Sequence, residues 1–225
     1  MALFLIGVVH RDPRGYGKLF GLLEVLEPEA ITVELSPFGL LWREREGRRL
    51  LEKLNAMLKG FPPDAGDHPE VILLRLTLDL PFEYLASWDY ARGKGLSVHL
   101  VDVNWISRRE LPLVEKEALT ERNLKELLAR EPRCLDMAFR SAYGKALKCI
   151  QGERSLVEVG VFPPWSTFIG LLRERILACR IEKIASLYTK VVHVGGWIHM
   201  VSDPTGKSMA SLLNHLHPEK ILLAS

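Results

Sequence analysis

The chain has 225 residues, of which 48% are hydrophobic and 26% are charged, values typical of one globular α/β domain. The 30 basic and 28 acidic side chains leave a formal net charge of +2, which gives no electrostatic support for nucleic-acid binding. No apolar run approaches the ~20 residues that span a bilayer. Three widely spaced cysteines argue against a disulfide framework. We therefore expect a single cytoplasmic domain over residues 1–225, with no nucleic-acid or membrane partner.

The first half of the chain alternates short apolar strands with amphipathic helices. Residues 3–9 predict a strand, and leucines at i, i+3, i+4 and i+7 over residues 19–26 predict a helix that ends at Pro28. A second strand over residues 30–35 follows at once, and this spacing predicts that the two strands form a parallel pair with a right-handed crossover. Pro37 opens a long helical region, and a further helical stretch over residues 70–92 is interrupted near Pro81.

The second half is more helical. The predicted elements are a strand at 97–103, helices over 107–151, a loop at 152–166, a helix at 167–188, a strand at 190–195, a short helix at 207–215 and a last strand at 220–224. This order predicts an α/β fold with a mainly parallel sheet flanked by helices. We interpret residues 104–187 as a largely helical insertion that caps the carboxyl edge of the strands, where a lid would exclude water.

Four polar residues follow the ends of four predicted strands: His10, Glu34, Asp102 and His199. In an open parallel sheet the carboxyl ends of the strands lie along one edge, where ligands bind. Both histidines end a G-x-x-H sequence, in which glycine permits a tight turn and a close backbone approach. Two imidazoles and two carboxylates at one edge would form a metal site or an acid–base site.

Each of these residues also has a purely structural alternative. Either histidine taken alone could simply hydrogen-bond its own loop, and Asp102 could equally be a turn residue or a helix N-cap. Glu34 lies in an apolar strand, where a buried carboxylate must be paired, protonated or metal-bound. By sequence alone Glu83 is a surface glutamate and His193 packs within a strand. The site hypothesis therefore depends on the two histidines together, one near each end of the chain.

The ordered set of these motifs resembles the TraB/PrgY–Tiki group, which is related to the erythromycin-esterase and ChaN-like superfamily. The matching pieces span nearly the whole chain and are Gly7-x-x-His10, Glu34, Glu83-Tyr84 before the strand that ends in Asp102, Glu174-Arg175, and Gly196-x-x-His199. The first motif reads Gly-Val-Val-His, where the group more often has Gly-Thr-x-His.

The resemblance implies an α/β fold with a site at the strand ends. It also implies an activity, because Tiki-type members are regarded as metal-dependent proteases that use both G-x-x-H histidines and the glutamate. TraB-type members are linked to the shutdown of peptide pheromones, and ChaN-like relatives bind haem. Arg175 is assigned from the family pattern alone, as the partner of an anion or of a substrate carboxylate.

From the residues and the resemblance together we predict a divalent-metal-dependent hydrolase that acts on a peptide or a small amide. His10, Glu34 and His199 would hold one ion, and two nitrogens with one oxygen suit zinc, manganese or cobalt. The bound ion would lower the pKa of water and polarise a carbonyl.

The remaining candidate residues would assist catalysis. Glu83 or Asp102 would act as general base or orient a histidine, and Arg175 would stabilise the developing oxyanion. The alternative is a binding protein that uses the same pocket for haem, a small ligand or a peptide, without turnover. The sequence leaves open the substrate, the metal and whether the protein is a homo-oligomer.

Overall fold

The computed structural model describes residues 1–223, so Ala224, the last residue of the predicted final strand, lies outside the described residues. The strands of this range are β1 (Ala2–Val8), β2 (Ala30–Val33), β3 (Ser97–Leu100), β4 (Lys190–Gly196) and β5 (Glu219–Leu222). Its α-helices are α1 (Gly15–Leu26), α2 (Pro37–Trp42), α3 (Arg48–Leu58), α4 (Pro69–Leu78), α5 (Phe82–Lys94), α6 (Asn104–Leu113), α7 (Glu121–Leu128), α8 (Leu135–Ile150), α9 (Phe168–Ala185) and α10 (Met209–Leu212).

All five of these strands are parallel and form one sheet in the order β3-β2-β4-β1-β5. The predicted α/β fold with a parallel sheet flanked by helices is confirmed. The predicted pairing of the first two strands is wrong, because β4 lies between β1 and β2. His193 in β4 is opposite Leu5 on one side and Thr32 on the other. The G-x-x-H motif at the end of β4 therefore lies between β1, which leads to His10, and β2, which leads to Glu34.

The chain divides into two compact units. The first contains Met1–Leu35, Phe82–Val103 and the chain from Phe139 onward, and it includes the whole sheet. The second contains Ser36–Pro81 and Asn104–Ala138. Its core consists mainly of leucines from α3, α4 and α7. No helix within residues 1–223 is long and apolar enough to cross a membrane.

Helix α9 connects the core of the first unit to the strand ends. Its N-terminus is capped by Thr167, whose Oγ1 accepts a hydrogen bond of 3.0 Å from the amide of Gly170. Buried positions then recur every three or four residues, and Leu177 and Ile181 pack in one cluster with residues of β1 and β4. Glu174 belongs to this buried stripe one turn before Leu177, so its side chain lies on the side of the helix that faces the core.

Candidate active site

The two G-x-x-H histidines lie in the first unit, and each is held by a buried carboxylate. Nδ1 of His10 is 2.7 Å from Oε1 of Glu83 in α5, and Nδ1 of His199 is 2.5 Å from Oε1 of Glu174 in α9. An ionised carboxylate can only accept hydrogen bonds, so both Nδ1 atoms donate. Each ring is thereby fixed through Nδ1, with Nε2 on its opposite side. Metal-binding histidines usually have this arrangement, in which a carboxylate accepts from the nitrogen that does not bind the ion.

Glu34, which directly follows β2, lies at the centre of the cluster. Its Oε1 is 3.1 Å from Nε2 of His199, and its Oε2 accepts a hydrogen bond of 2.6 Å from the amide of Gly196. The side chain is 4% exposed. Burial alone would raise the pKa of Glu34, but the charges of His199 and Arg173 outweigh it and hold the pKa well below its usual value. Glu34 is therefore an ionised carboxylate.

Arg173 of α9 connects Glu34 to Asp102, the residue near the end of β3. Its Nη2 donates to Oε1 of Glu34 at 2.7 Å and to Oδ2 of Asp102 at 2.8 Å, and its Nε donates to Oδ1 of Asp102 at 2.8 Å. Such two-point arginine–carboxylate pairs are strong and fix geometry. Oδ1 of Asp102 also accepts from the amide of Val103, so this residue has both the turn role and the site role. Because both of its oxygens are engaged, the structure favours an orienting role for Asp102 over that of a general base.

Arg175, the arginine expected at the site, is exposed on α9, and Arg173 takes its place. Successive residues of a helix are rotated by about 100°, so the step from Glu174 to Arg175 turns the side chain away from the buried stripe. The expected contact of Arg175 with a substrate anion stays a prediction, whereas Arg173, whose side chain is 25% exposed, is the arginine that contacts Glu34. The sequence signal was present, because Glu174 is a charged residue within an apolar helical stripe and must find a buried partner.

Glu83 is not the surface residue that its sequence context indicated. It lies in the first turn of α5, and its side chain is only 5% exposed. Its Oε1 is bonded to His10, and its Oε2 has no hydrogen-bond partner among residues 1–223. His10 itself is 51% exposed, so Glu83 lies behind an imidazole that solvent can reach. This geometry gives Glu83 the orienting role rather than that of a base in contact with substrate.

Buried negative charge exceeds positive charge in this cluster. The four carboxylate side chains, each at most 10% exposed, belong to Glu34, Glu83, Asp102 and Glu174. They face the guanidinium of Arg173 and the ring of His199.

Burial opposes protonation of His199, but Glu34 and Glu174 outweigh it and raise its pKa to about 10. The protein packed around one side of the half-exposed His10 ring opposes its protonation, but the Glu83 carboxylate outweighs this and raises the pKa of His10 above the usual value. Among the buried side chains, two negative charges remain uncompensated when His10 is neutral, and one when it is protonated. The exposed Arg180 adds a positive charge nearby, because its Nη1 donates to the carbonyl of Asp102 at 2.6 Å.

Gly195 and Gly196 allow these side chains to approach the end of β4. A Cβ atom on Gly195 would lie 2.7 Å from Oε2 of Glu34 and 2.8 Å from Nε2 of His193. A Cβ atom on Gly196 would lie 2.8 Å from Nε2 of His10. Contacts this short force a neighbour to move, so both positions require glycine for the geometry observed. The Nε2 atom of His10 therefore lies beside the same backbone segment that binds Glu34.

His193 is a third imidazole at this edge, which the sequence indicated only as a packing residue. It is 1% exposed, and its Nδ1 is 2.9 Å from Oγ1 of Thr32. Burial lowers the pKa of His193 to about 4, so the ring is neutral. Its Nε2 has no hydrogen-bond partner among the described residues. A buried polar atom without a partner is costly. No pattern in the sequence distinguishes His193 from a packing residue.

The side chains of this cluster are of the types that bind metal ions, but they are not already arranged around one ion. Across residues 1–223, no group of three or more histidine, cysteine, aspartate or glutamate side chains is already arranged to hold one. The separation of 3.1 Å between Nε2 of His199 and Oε1 of Glu34 is close to the roughly 3.3 Å between two donors on a tetrahedral zinc ion. His10 is exposed enough to turn its ring and supply a third donor.

Comparison of the chain with protein-family models, curated proteins and solved structures finds no match. The resemblance to the TraB/PrgY–Tiki group therefore stays a prediction.

Proposed function

We propose that this protein is a hydrolase whose site binds one divalent transition metal through His10, Glu34 and His199. The observation that carries the proposal is the excess of buried negative charge in the cluster. Uncompensated buried charge is costly, and a divalent cation would neutralise it. The carboxylates behind both imidazoles add support, because they hold each ring through Nδ1. Nε2 of His199, which pairs with Oε1 of Glu34 at 3.1 Å, would give up its proton when an ion binds.

The donor set of two nitrogens and one oxygen suits zinc, manganese or cobalt. When bound, such an ion lowers the pKa of water and polarises a carbonyl. The resemblance to Tiki-type proteases adds the substrate class, which we propose to be a peptide or a small amide.

The chain's own side chains would orient the ligands and stabilise charge. Glu83 and Glu174 hold the two rings, and Arg173 with the amide of Gly196 holds Glu34. Nη1 of Arg173 makes no hydrogen bond within residues 1–223, and the side chain is reachable from solvent. We infer that this nitrogen binds the substrate carbonyl oxygen, where negative charge develops during attack by water.

A second candidate is hydrolysis without a metal, which the His10–Glu83 pair favours. The carboxylate holds Nδ1 of a half-exposed imidazole, as in acid–base sites where histidine activates a nucleophile. Nε2 of His10 would take a proton from water as its oxygen attacks a carbonyl, and would give that proton to the leaving amine as the C–N bond breaks. Arg173 would stabilise the oxyanion, and Glu34 would stay paired with Arg173 and His199.

Metal analysis by mass spectrometry on protein purified without a tag tests the proposal. After exposure to zinc, manganese or cobalt and gel filtration, we expect about one equivalent in the parent protein, given one site of three ligands. The variant His10→Ala should lose most of the bound metal. Because the ring of His10 is half exposed, this variant should keep its fold, which circular dichroism checks. His215→Ala is the matched control, because His215 is exposed and bonds only to Glu182 and its own helix turn.

The outcomes separate the candidates. Metal bound by the parent and by His215→Ala, but not by His10→Ala, supports the metal site. If no variant binds metal while chelator-resistant peptide or amide hydrolysis disappears in His10→Ala, the metal-free mechanism replaces it. If the parent protein neither binds metal nor hydrolyses a peptide or amide, both hydrolase mechanisms are overturned, and ligand binding without turnover remains.

A further inference from the structure

A cavity in the first unit shares no residue with the candidate active site. Its volume is about 330 Å³. One wall is a face of α8 with Gly144, Lys145 and Lys148. Lys148 follows Gly144 by four residues and Lys145 by three, so it neighbours both on the helix surface. The opposite wall is the loop after α8, with Arg154 and Glu158. We call this space the α8 cavity.

The α8 cavity has an excess of positive charge. Lys145 and Lys148 form no ion pair within residues 1–223. The acidic residue of the lining, Glu158, is engaged elsewhere: its Oε2 accepts from the amide of Ser155 at 2.6 Å and from its hydroxyl at 2.8 Å. Three cations against one carboxylate leave a local charge of +2, which complements a phosphate monoester of about −1.5 to −2 at neutral pH.

The loop that carries Arg154 is held in place by its backbone. Gly152 has a φ of 77°, a conformation that glycine adopts without strain. The chain then turns back, and the amides of Glu153 and Arg154 donate to the carbonyl of Lys148 at 2.9 and 3.2 Å. Leu156 is buried and anchors the next turn. Arg154 is thus brought to the end of α8 before any ligand arrives, which lowers the entropic cost of binding.

Gly144 leaves the surface of α8 open at this cavity. It lies in the interior of the 16-residue helix α8, where glycine is destabilising relative to alanine. A Cβ atom at this position would meet no atom within 4 Å, so packing inside the protein does not require glycine. The absence of a side chain leaves room on the floor of the cavity and lets a bound molecule approach the helix backbone.

We propose that the α8 cavity binds a small phosphate monoester, with its phosphate between Lys145, Lys148 and Arg154 and its organic part over Gly144. The volume is at the lower end of the range of roughly 300–1,000 Å³ for small-molecule sites, which suits a compact metabolite. This site does not depend on the proposed hydrolase activity, and either can be wrong without the other.

Calorimetric titration of the tag-free protein with glycerol 3-phosphate, at constant ionic strength, tests the proposal. We expect saturable binding with one site per chain. Lys148→Gln and Arg154→Gln should each weaken it by about tenfold or more, as expected when a charged hydrogen bond is lost. Lys183→Gln is the matched control, because Lys183 is an exposed lysine in the last turn of α9 and lies outside the cavity.

Gly144→Leu separates binding from stability. Leucine is a better helix former than glycine, so the melting temperature should rise, while its side chain fills the cavity floor and abolishes binding. Co-sedimentation with vesicles that contain phosphatidic acid distinguishes a lipid headgroup from a soluble ester as the source of the phosphate. Vesicle binding that is lost in the same variants assigns the lipid source. No saturable binding of either probe, equal weakening in Lys183→Gln, or full binding by Gly144→Leu overturns the proposal.

Discussion

The two adjacent glycines at the end of β4 allow a sharp test, because the same added atom should have opposite consequences at the two positions. In Gly195→Ala the new Cβ would meet Glu34 and His193, which are both buried and hydrogen-bonded. In Gly196→Ala it would meet Nε2 of His10, whose side chain is half exposed and can turn. We expect the first variant to lose stability and the second to lose function.

The magnitudes follow from these neighbours. Overpacking a tight core costs about 1–3 kcal/mol, and every hydrogen bond to ionised Glu34 that breaks adds about 1.5–3 kcal/mol. Gly195→Ala should therefore lower the free energy of unfolding by about 3 kcal/mol or more. Gly196 has φ −57° and ψ 132°, which alanine adopts readily, and the substitution gains about 0.4–1 kcal/mol from the unfolded chain. The net change for Gly196→Ala should lie within about 1 kcal/mol of zero.

Urea unfolding of the metal-free proteins, followed by circular dichroism, measures both values, with an unchanged m-value as the sign that the unfolded state is comparable. Metal titration of Gly196→Ala should show affinity at least about tenfold weaker, because the ring of His10 is displaced. Equal stability of the two variants would refute the steric reasoning. Full metal affinity in Gly196→Ala would remove His10 from the ligand set.

Three further predictions concern charge. Arg173→Gln should cost about 3 kcal/mol in urea unfolding by removing the guanidinium that pairs with two buried carboxylates, whereas Arg175→Gln should change stability by less than about 0.5 kcal/mol. Similar losses would contradict the placement of the two arginines. The pKa of folded His199 is raised to about 10, so its stabilisation of the metal-free protein is complete below pH ~6.5 and lost as pH rises towards 10; urea midpoints should fall over this window, but not in His199→Gln. Glu83→Gln should lower the pKa of His10, read by NMR titration of the ring; an unchanged pKa would show that the pair does not form.

The fold class was predictable because its signals are local. Short apolar runs and leucines at helical spacing indicate strands and helices wherever they pack. Strand order was not predictable, because it depends on pairs that are distant in sequence, such as Val8 with Gly196. A β–α–β spacing indicates that two strands are parallel, and it does not show whether a strand from the other end of the chain lies between them.

Side-chain placement at the site follows the same distinction. Strand ends converge on one edge of a parallel sheet, so His10, Glu34, Asp102 and His199 could be expected there. The direction in which a helical side chain points depends on its position around the helix axis. A two-residue step in α9 rotates that direction by about 200°. Arg173 therefore contacts Glu34, whereas Arg175 is exposed. The buried stripe that includes Glu174 would have given the correct phase.

The two proposed sites differ in how much their excess charge lowers the stability of the folded protein. The excess charge of the α8 cavity belongs to exposed lysines and an arginine, where solvent screens it. The excess at the strand ends belongs to buried carboxylates from two strand ends and from helices α5 and α9. Burial without counter-charge lowers stability, and only a ligand that binds the folded state can recover it, by RT ln(1 + [L]/Kd). A cation should therefore stabilise this protein more than any neutral molecule bound at the same edge.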